Sequence, residues 1–509
     1  MSETFQTSTL ILLAALGLAT LAASAGAQTN DEIGAGLEFD FSPPGARSLG
    51  LGGAFLALAD DATAAYANPA GLLELHRPEI AIEARGAAFE TRYVDGGSFN
   101  GTPTGTAATL AEGSNIDALP ELAQSSSTSR TTGISFLSVV YPRRDWAVAI
   151  FRHELSRFAA SIDESAGFFF STAGASGQEV RRRAAPISAE LDLVIEDLGL
   201  SGAYRLQDRF WIGATVQSFR FRFDATTHRY RGLTAEGETR FDDDPEIYAA
   251  ANEFDRHVQA GDSTAWSGAA SFLWSSADSR HRVAGIYRPG PSFAFDYAFH
   301  FGAAAVADGV ADDPDEQLEA LRRTGRGRFR VPDSWGIGWV FEPRTNWLLS
   351  TELKHVSSSK LAPRANVLKD VRFAGGEPLG CCPGAGDLPD EGYNAGKDSL
   401  QLFEVDDGYE LHAGLEWARP RASGDVLALR AGVWGETEHQ VRYVGDNPRL
   451  AGRFVSGEDS IHGAAGVGWT HPFAAEGANR LRPTSISVDI GFDASRRRRL
   501  ASGSVVVRF

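Results

Sequence analysis

Glycine-rich turns are the first segments of this chain whose residue types could serve chemistry, because such turns can hold phosphates. Residues 50–55 (GLGGAF) begin like a dinucleotide-binding G-x-G-x-x-G loop, but Phe55 occupies the place of the third glycine. Residues 392–397 (GYNAGK) are one residue shorter than a phosphate-binding loop, and Asp398 follows where that loop needs Ser or Thr. Neither segment predicts a nucleotide site.

Histidine, serine and cysteine show no catalytic spacing either. The sequence has neither H-E-x-x-H nor G-x-S-x-G, although a serine–histidine site built from distant segments would leave no local pattern. His412 and His462 are predicted to face opposite sides of a sheet. Cys381 and Cys382, the only cysteines, form either a vicinal disulfide or two loop thiols, with no metal-ligand partner close by. We therefore predict no enzyme activity, no metal and no cofactor.

The overall composition excludes several classes of protein. The 509 residues include 48 Lys and Arg against 66 Asp and Glu, so the balance is acidic and predicts no nucleic-acid partner. With 43% hydrophobic and 22% charged residues, the chain is too apolar for a disordered acidic protein and too polar for a helical membrane protein.

An apolar stretch near the N-terminus predicts export. Residues 10–23 are apolar and are followed by an A-x-A pattern ending at Ala27, which together indicate a secretory signal peptide over residues 1–27. The stretch is too short to cross a membrane as a helix, and no other window offers roughly 18 consecutive apolar residues.

The elements that must position any site are strands with one apolar and one polar face. Residues 484–494 alternate large apolar side chains with serine and aspartate, which places Asp489 and Asp493 on one face. A wall between water and lipid requires this division. Residues 333–343, 346–356 and 408–419 repeat the alternation and begin or end with an aromatic residue, as an interfacial girdle would.

Fourteen such strands are predicted, an even number that suits a bacterial barrel. They lie near residues 77–92, 131–142, 145–158, 193–206, 209–223, 264–276, 280–299, 333–343, 346–356, 408–419, 424–436, 460–471, 484–494 and 501–509. Short links follow the even-numbered strands up to the tenth, whereas long links such as 93–130, 224–263 and 357–407 follow the odd-numbered ones. We therefore predict an all-β fold: a 14-stranded antiparallel transmembrane β-barrel over residues 77–509, in the bacterial outer membrane.

Residues 28–76 precede the first strand, lack its alternation and are predicted to form a hatch, a plug inside the lumen. A lumen of fourteen strands lies between the side-chain-filled small barrels and the open porins, so without a plug it would leak solutes. Small residues and tight-turn glycines suit compact packing there. The hatch candidates are Gly50, Gly52, Gly53, Asp60, Asp61, Asn68, Pro69 and Ala70.

Residues 45–85 resemble the hatch and first strand of the FadL-type (OmpP/FadL/TodX-like) family of outer-membrane transporters for long-chain fatty acids. The match includes the glycine turn, A-D-D-A at 59–62 and N-P-A at 68–70, and residues 331–356 resemble a later hairpin of the family. The resemblance implies a 14-stranded barrel with an N-terminal plug. It also implies passive uptake of hydrophobic compounds, gated by the hatch, with exit through a lateral gap in the wall.

The resemblance has consequences for the site. A fatty-acid carboxylate would bind a cation that faces the lumen; by side alternation the candidates are Arg85, Arg220, Arg222, Lys354 and Arg430, each of which could instead be an ordinary salt-bridge partner. The lateral gap of the family lies at a kinked third strand. Residues 145–158 contain neither Gly nor Pro and therefore predict no kink.

An alternative function remains open, because the hatch stretch is also similar to PorV-type barrels, which serve protein secretion or attachment at the cell surface. A general porin is disfavoured by the hatch. The expected partners are outer-membrane lipid, lipopolysaccharide near charged loops such as 181–183, 242–244 and 496–499, and a hydrophobic small molecule. The terminal Phe509 resembles the signal read by the barrel-assembly machinery, and the protein is expected to be a monomer.

Overall fold

The computed structural model of the protein describes residues 41–96, 124–165, 169–173, 179–183, 186–230, 248–249, 253–300, 322–361, 369–373, 403–439, 442–443, 458–473 and 482–509. The predicted signal peptide, the first part of the predicted hatch (residues 28–40), the acidic run at 242–244 and the Cys381–Cys382 pair lie outside these described residues.

Fourteen antiparallel strands form a closed barrel in the described part of the chain, three of them interrupted. In chain order they are β1 (Glu79–Val94), β2 (Gln124–Pro142), β3 (Trp146–Ser165), β4 (Ile187–Gln207), β5 (Phe210–Tyr230), β6 (Glu253–Ser275), β7a (His281–Arg288) with β7b (Ser292–His300), β8a (Arg322–Arg330) with β8b (Ser334–Arg344), β9a (Trp347–Val356) with β9b (Lys369–Phe373), β10 (Gly408–Pro420), β11 (Val426–Glu436), β12 (Ser460–Pro472), β13 (Ser485–Ala494) and β14 (Arg498–Arg508). The barrel closes where β1 pairs with β14, from Glu79 opposite Arg508 to Phe89 opposite Arg498. The predicted all-β, 14-stranded barrel is confirmed.

Several small elements lie outside the barrel wall. Phe169–Ala173 pairs with Glu179–Arg183, and Phe403–Glu404 pairs with Arg442–Tyr443. A short 3-10 helix, Ser358–Leu361, follows β9a. None of the helices in the described ranges is long and apolar enough to cross a membrane.

The outer face of the barrel is apolar and the inner face is polar around most of its circumference. On β13, Val488, Ile490 and Phe492 are exposed, whereas Asp489 and Asp493 are buried. Other strands expose large apolar side chains in the same way, among them Ile80, Val139, Ile150, Leu200, Ile337, Leu411, Val433 and Ile461. Large apolar groups on the surface suit a solvent of lipid chains.

The strands on one side of the barrel are much longer than those on the other. Strands β2 to β6 have 19 to 23 residues, whereas β10 to β13 have 10 to 13. The predicted strands were too short at their long-loop ends, because the polarity of the two faces inverts there. On β4 the outward residues change from Leu198 and Leu200 to Glu190 and Asp192, while the inward residues become apolar.

Residues 41–75, here called the N-terminal segment, fold inside the barrel. They contain the short helices α1 (Ala46–Gly50) and α2 (Ala64–Ala67) and a 3-10 helix, Pro69–Glu74. Helix α1 contacts β11 to β14, and the 3-10 helix contacts β2 to β6 on the opposite wall. Leu51, Phe55 and Leu72 of this segment are fully buried.

Candidate functional site

The glycines of the predicted hatch allow the N-terminal segment to approach the barrel wall closely. Gly52 and Gly53 have φ angles of 64° and 78°, which favour glycine over other residues. A Cβ on Gly50 would lie 2.9 Å from Cα of Gly466, and one on Gly53 would lie 3.0 Å from Nδ1 of His412. Backbone packs directly against the wall at these positions.

The polar hatch candidates shape the segment itself. Asp60 forms a 2.5 Å ion pair with Arg47, and Asp61 accepts hydrogen bonds from the N–H and hydroxyl of Thr63. Burial raises the pKa of Asp61. Asn68 caps the 3-10 helix that begins at Pro69: its Oδ1 accepts the Ala70 N–H at 3.1 Å, and its amide donates to a backbone carbonyl at 2.9 Å. The Ala70 N–H also lies 3.1 Å from the Ser271 hydroxyl on the wall.

Ion pairs connect the N-terminal segment to the wall. Two of the predicted ligand cations, Arg430 and Lys354, are paired with carboxylates of the wall. Arg430 donates to Glu416 and Asp489, both at 2.6 Å, and Glu416 also accepts two hydrogen bonds from Arg47. Lys354 forms a 2.8 Å ion pair with Glu410.

The other three predicted cations are not free lumen groups either. Arg85 faces inward and forms a 3.1 Å ion pair with Glu83. Arg220 and Arg222 lie on the outer face of β5, where Arg220 pairs with Asp262. The prediction that these two face the lumen was wrong. On the upper part of β5 the polar side chains point outward and the apolar ones point inward, which is the opposite of the rule assumed from the alternation.

An apolar cluster fills the inner face of the long strands, above the N-terminal segment. Its members, here called the upper cluster, are Leu155, Phe158, Ala160, Ile162, Ile187, Ala189, Leu191, Leu193, Ile195, Phe219, Phe221, Ala225, Phe293 and Val331. Phe221 stacks on Phe293 and Phe329 with ring centroids 5.2 and 5.1 Å apart. Sequence reasoning missed this cluster, although residues 187–193 alternate cleanly and would have indicated it.

Backbone pairing between β2 and β3 is interrupted next to the upper cluster. Among the described residues, pairing of these strands ends at Phe136 opposite His153, although both continue toward the long-loop end. We call this unpaired stretch the split; toward its upper end the Ser127 hydroxyl of β2 donates to the Ser161 carbonyl of β3. The Arg152 guanidinium bridges its lower end by donating to the Ile134 carbonyl. Phe158 of the upper cluster lies behind the split, against Phe89 of β1 at 5.9 Å.

The sequence predicted no kink in the third strand, but the structure has an irregularity there. The register of β3 against β4 shifts between Glu154 and Ser156, just above the last residue paired with β2. A β-bulge of this kind bends a strand without requiring Gly or Pro. The absence of those two residue types was therefore a poor guide to the geometry.

Polar residues form a tier between the upper cluster and the N-terminal segment. Nδ1 of His153 lies 3.2 Å from Asp197, and the Gln217 amide donates to the same carboxylate at 2.9 Å. All three side chains are buried. The ring of Tyr66 packs on His153 with centroids 3.9 Å apart, and the Arg288 guanidinium lies over the same Tyr66 ring. No local pattern in the sequence indicated this tier, since its members lie on separate strands.

A second polar group lies on the inner faces of β10 to β13. His412 and His462 both face inward, with Trp434 stacked between them at 5.0 and 3.8 Å. The prediction that the two histidines face opposite ways was wrong. Residues that lie opposite each other in the register of paired strands point to the same face, and His412, Trp434 and His462 form such a row across β10, β11 and β12. His462 contacts Asp493 and Glu436, and His412 contacts the Gly52 carbonyl.

Two solved structures share the overall fold of this chain. A Pseudomonas aeruginosa FadL homologue is similar with a TM-score of 0.57 and 13% identity, over 93% of this chain and 99% of that chain. The CymD monoaromatic hydrocarbon channel is similar with a TM-score of 0.51 and 12% identity, over the same shares of the two chains. No protein-family model and no curated protein sequence matches the chain. The structure thus confirms, at the level of the fold, the resemblance of this chain to the FadL-type outer-membrane barrels.

Proposed function

We propose that this chain is a channel of the bacterial outer membrane for the passive uptake of hydrophobic compounds. The upper cluster is the observation that supports this most strongly. It lines the inner face of strands that rise beyond the lipid-facing belt, where a channel for water-soluble solutes would have polar side chains. An apolar compound that enters there leaves water and gains the free energy of apolar burial.

The direction of transport follows from the ends of the barrel. The short turns, such as the one between β2 and β3, would face the periplasm, and the long loops would face outward. The outward charges on the upper parts of the long strands, among them Glu190 and Arg220, would then lie in the headgroup and lipopolysaccharide layer. The inner apolar face would carry the compound through that polar layer.

The N-terminal segment is proposed to be the hatch that closes the lumen. Buried contacts on opposite walls support this, as do the ion pairs between Arg47 and Glu416 and the backbone contact of Gly50 with Gly466. Deletion of residues 28–75 is expected to raise single-channel conductance in planar bilayers, and unchanged conductance would count against a plug.

The split is the proposed exit. It begins where the lipid-facing belt of β2 ends, beside exposed Ile134, and the upper cluster lies directly behind it. A compound moving sideways would pass from one apolar surface to another without crossing the hatch. The N-terminal segment could then remain in place during uptake, which would keep the barrel closed to ions.

The ligand is more consistent with an uncharged compound than with a long-chain fatty acid anion. The five cations considered for a carboxylate are ion-paired or lie on the outer face, as described above for Arg430, Lys354 and Arg220. CymD, which shares the fold, is described as a monoaromatic hydrocarbon channel. No observation on the described residues favours the PorV-type alternative.

Uptake into liposomes tests the proposed function. Purified protein is reconstituted into vesicles that contain a trapped enzyme or dye reporting the arrival of an alkylbenzene, with sucrose entry measured in parallel. We expect faster alkylbenzene entry than in protein-free vesicles and no increase in sucrose entry. Equal rates with and without protein would contradict the proposal.

Several expectations about partners stay predictions. These are the contacts of the charged loops with lipopolysaccharide, the recognition of Phe509 by the barrel-assembly machinery and the monomeric state. In the structure the Phe509 N–H donates to the Pro78 carbonyl at 2.9 Å, so the end of the chain lies beside the start of β1.

A further inference from the structure

Three features of the barrel meet at one histidine. His153 is the last residue of β3 that pairs with β2, so it lies at the lower end of the split. The next inward residue, Leu155, belongs to the upper cluster. On its other side the His153 ring packs against Tyr66 of the N-terminal segment. A compound that moves from the upper cluster to the lower end of the split would pass near this imidazole.

The hydrogen bonds of His153 leave one ring nitrogen available. Nδ1 lies 3.2 Å from Oδ2 of Asp197, and a carboxylate can only accept, so Nδ1 carries the proton. Asp197 is itself held by the Gln217 amide at 2.9 Å. In the neutral ring Nε2 then has a lone pair. Among the described residues Nε2 has no hydrogen-bond partner, and its position in the ring directs it away from β4.

We propose that Nε2 of His153 accepts a hydrogen bond from the hydroxyl group of an uncharged hydrophobic ligand, such as a phenol, on its way from the upper cluster to the split. This inference rests on the proposed uptake function and names the ligand class of that channel. Asp197 is a positioning residue, because it holds the ring in the tautomer that accepts.

The alternatives fit the geometry less well. A ligand carboxylate fits Nε2 poorly, because a carboxylate and the lone pair of Nε2 in the tautomer set by Asp197 are both acceptors. A pure hydrocarbon would leave Nε2 without a partner in a site that is 3% exposed, and burying an unpaired acceptor costs free energy. A hydroxyl group satisfies the nitrogen and adds no charge.

Equilibrium dialysis with three matched ligands tests the proposal. The full-length barrel in lipid nanodiscs is dialysed against para-pentylphenol, pentylbenzene and para-pentylbenzoate, with empty nanodiscs correcting for partition into lipid. One neutral hydrogen bond is expected to make the phenol bind about tenfold more tightly than pentylbenzene. The benzoate is expected to bind more weakly than the phenol.

Two variants separate hydrogen bonding from packing. His153→Phe keeps an aromatic ring against Tyr66 but removes the acceptor, so the phenol-to-pentylbenzene ratio is expected to fall from about ten to about one. His471→Phe changes a histidine near the short-turn end, where it contacts Asp425, and should leave the ratio unchanged. Heat-modifiable gel mobility shows that both variants fold.

The outcomes distinguish the two proposals. Equal binding of phenol and pentylbenzene by the wild-type protein, tighter binding of the benzoate, or a ratio that survives His153→Phe would overturn the hydroxyl site alone. If the wild-type protein binds none of the three ligands above the empty-nanodisc level, the uptake function itself fails, and the inference fails with it.

Discussion

Arg47 of the N-terminal segment donates two hydrogen bonds to Glu416 on β10, from Nε and Nη2, each at 2.9 Å. The same guanidinium forms a 2.5 Å ion pair with Asp60, and Glu416 also accepts from Arg430 of β11. Arg47 and Glu416 therefore join the neighbouring strands β10 and β11 to the segment inside the barrel. Because the network lies largely out of water, the loss of one partner leaves the other charge uncompensated.

Arg47→Ala is expected to loosen the N-terminal segment at a cost of about 3–5 kcal/mol, because it leaves Glu416 and Asp60 without this cation. The barrel should remain heat-modifiable, while single-channel conductance in planar bilayers rises. Arg419→Ala, which removes an exposed arginine from the same β10 strand, is the matched control and should behave like the wild-type protein. Equal conductance of all three proteins would show that the ion pair does not hold the segment.

Gly414→Ala is expected to displace the same segment by steric overlap. A Cβ at this position would lie 2.5 Å from the Leu51 carbonyl oxygen and 2.9 Å from Leu51 Cβ. Overpacking of this kind costs about 1–3 kcal/mol and should appear as a lower thermal midpoint with a higher conductance. At Gly503 a Cβ would meet nothing within 4 Å, so Gly503→Ala should change neither quantity. A wild-type midpoint for Gly414→Ala would mean that the segment does not pack here.

Closing the split should slow uptake without changing ion flow. Gly133→Cys and Glu154→Cys are combined with Cys381→Ser and Cys382→Ser, and the two new thiols are joined by a reducible bis-maleimide linker. A Cβ on Gly133 lies 3.9 Å from Oε2 of Glu154, so the pair faces itself across the split. We expect alkylbenzene entry into liposomes to fall severalfold and to recover after reduction.

The control for the cross-link lies lower on the same two strands. Val139 and Ile150 are opposite each other in the intact part of the β2–β3 ladder. Cysteines there, joined by the same linker, should leave uptake at the uncross-linked rate. If both cross-links slow uptake alike, or neither does, the split is not the exit.

Phe221→Ala tests the upper cluster. Phe221 is 1% exposed and stacks on Phe293 and Phe329, so its removal is expected to destabilise the barrel by about 3–5 kcal/mol and to reduce alkylbenzene binding. Phe492→Ala removes a ring that is 56% exposed on the outer face and should cost much less. Differential scanning calorimetry and equilibrium dialysis measure the two effects, and equal losses in both variants would argue against a special role for the cluster.

Much of the fold could be predicted because strand alternation is a local property. Ile490 and Asp489 are neighbours in sequence, so their opposite faces follow from backbone geometry alone, and a wall with one apolar face follows from their chemistry. The same reasoning predicted the number of strands and the closed barrel. It failed on β4 and β5 where the polarity inverts, since the meaning of alternation depends on what surrounds each face.

The site depended on contacts that only the folded chain creates. The two acids that pair with Arg430, Glu416 and Asp489, are 14 and 59 residues away from it in the sequence. Strand register brings each of them to 2.6 Å from the guanidinium, which neutralises its charge. His153 meets Asp197 and Tyr66 across separate strands and the N-terminal segment. The sequence alone determined a barrel with apolar outer and polar inner walls. Register and packing decided which charges are paired, where the pairing of β2 with β3 ends and which polar atom remains available, because those properties belong to pairs of residues far apart in the chain.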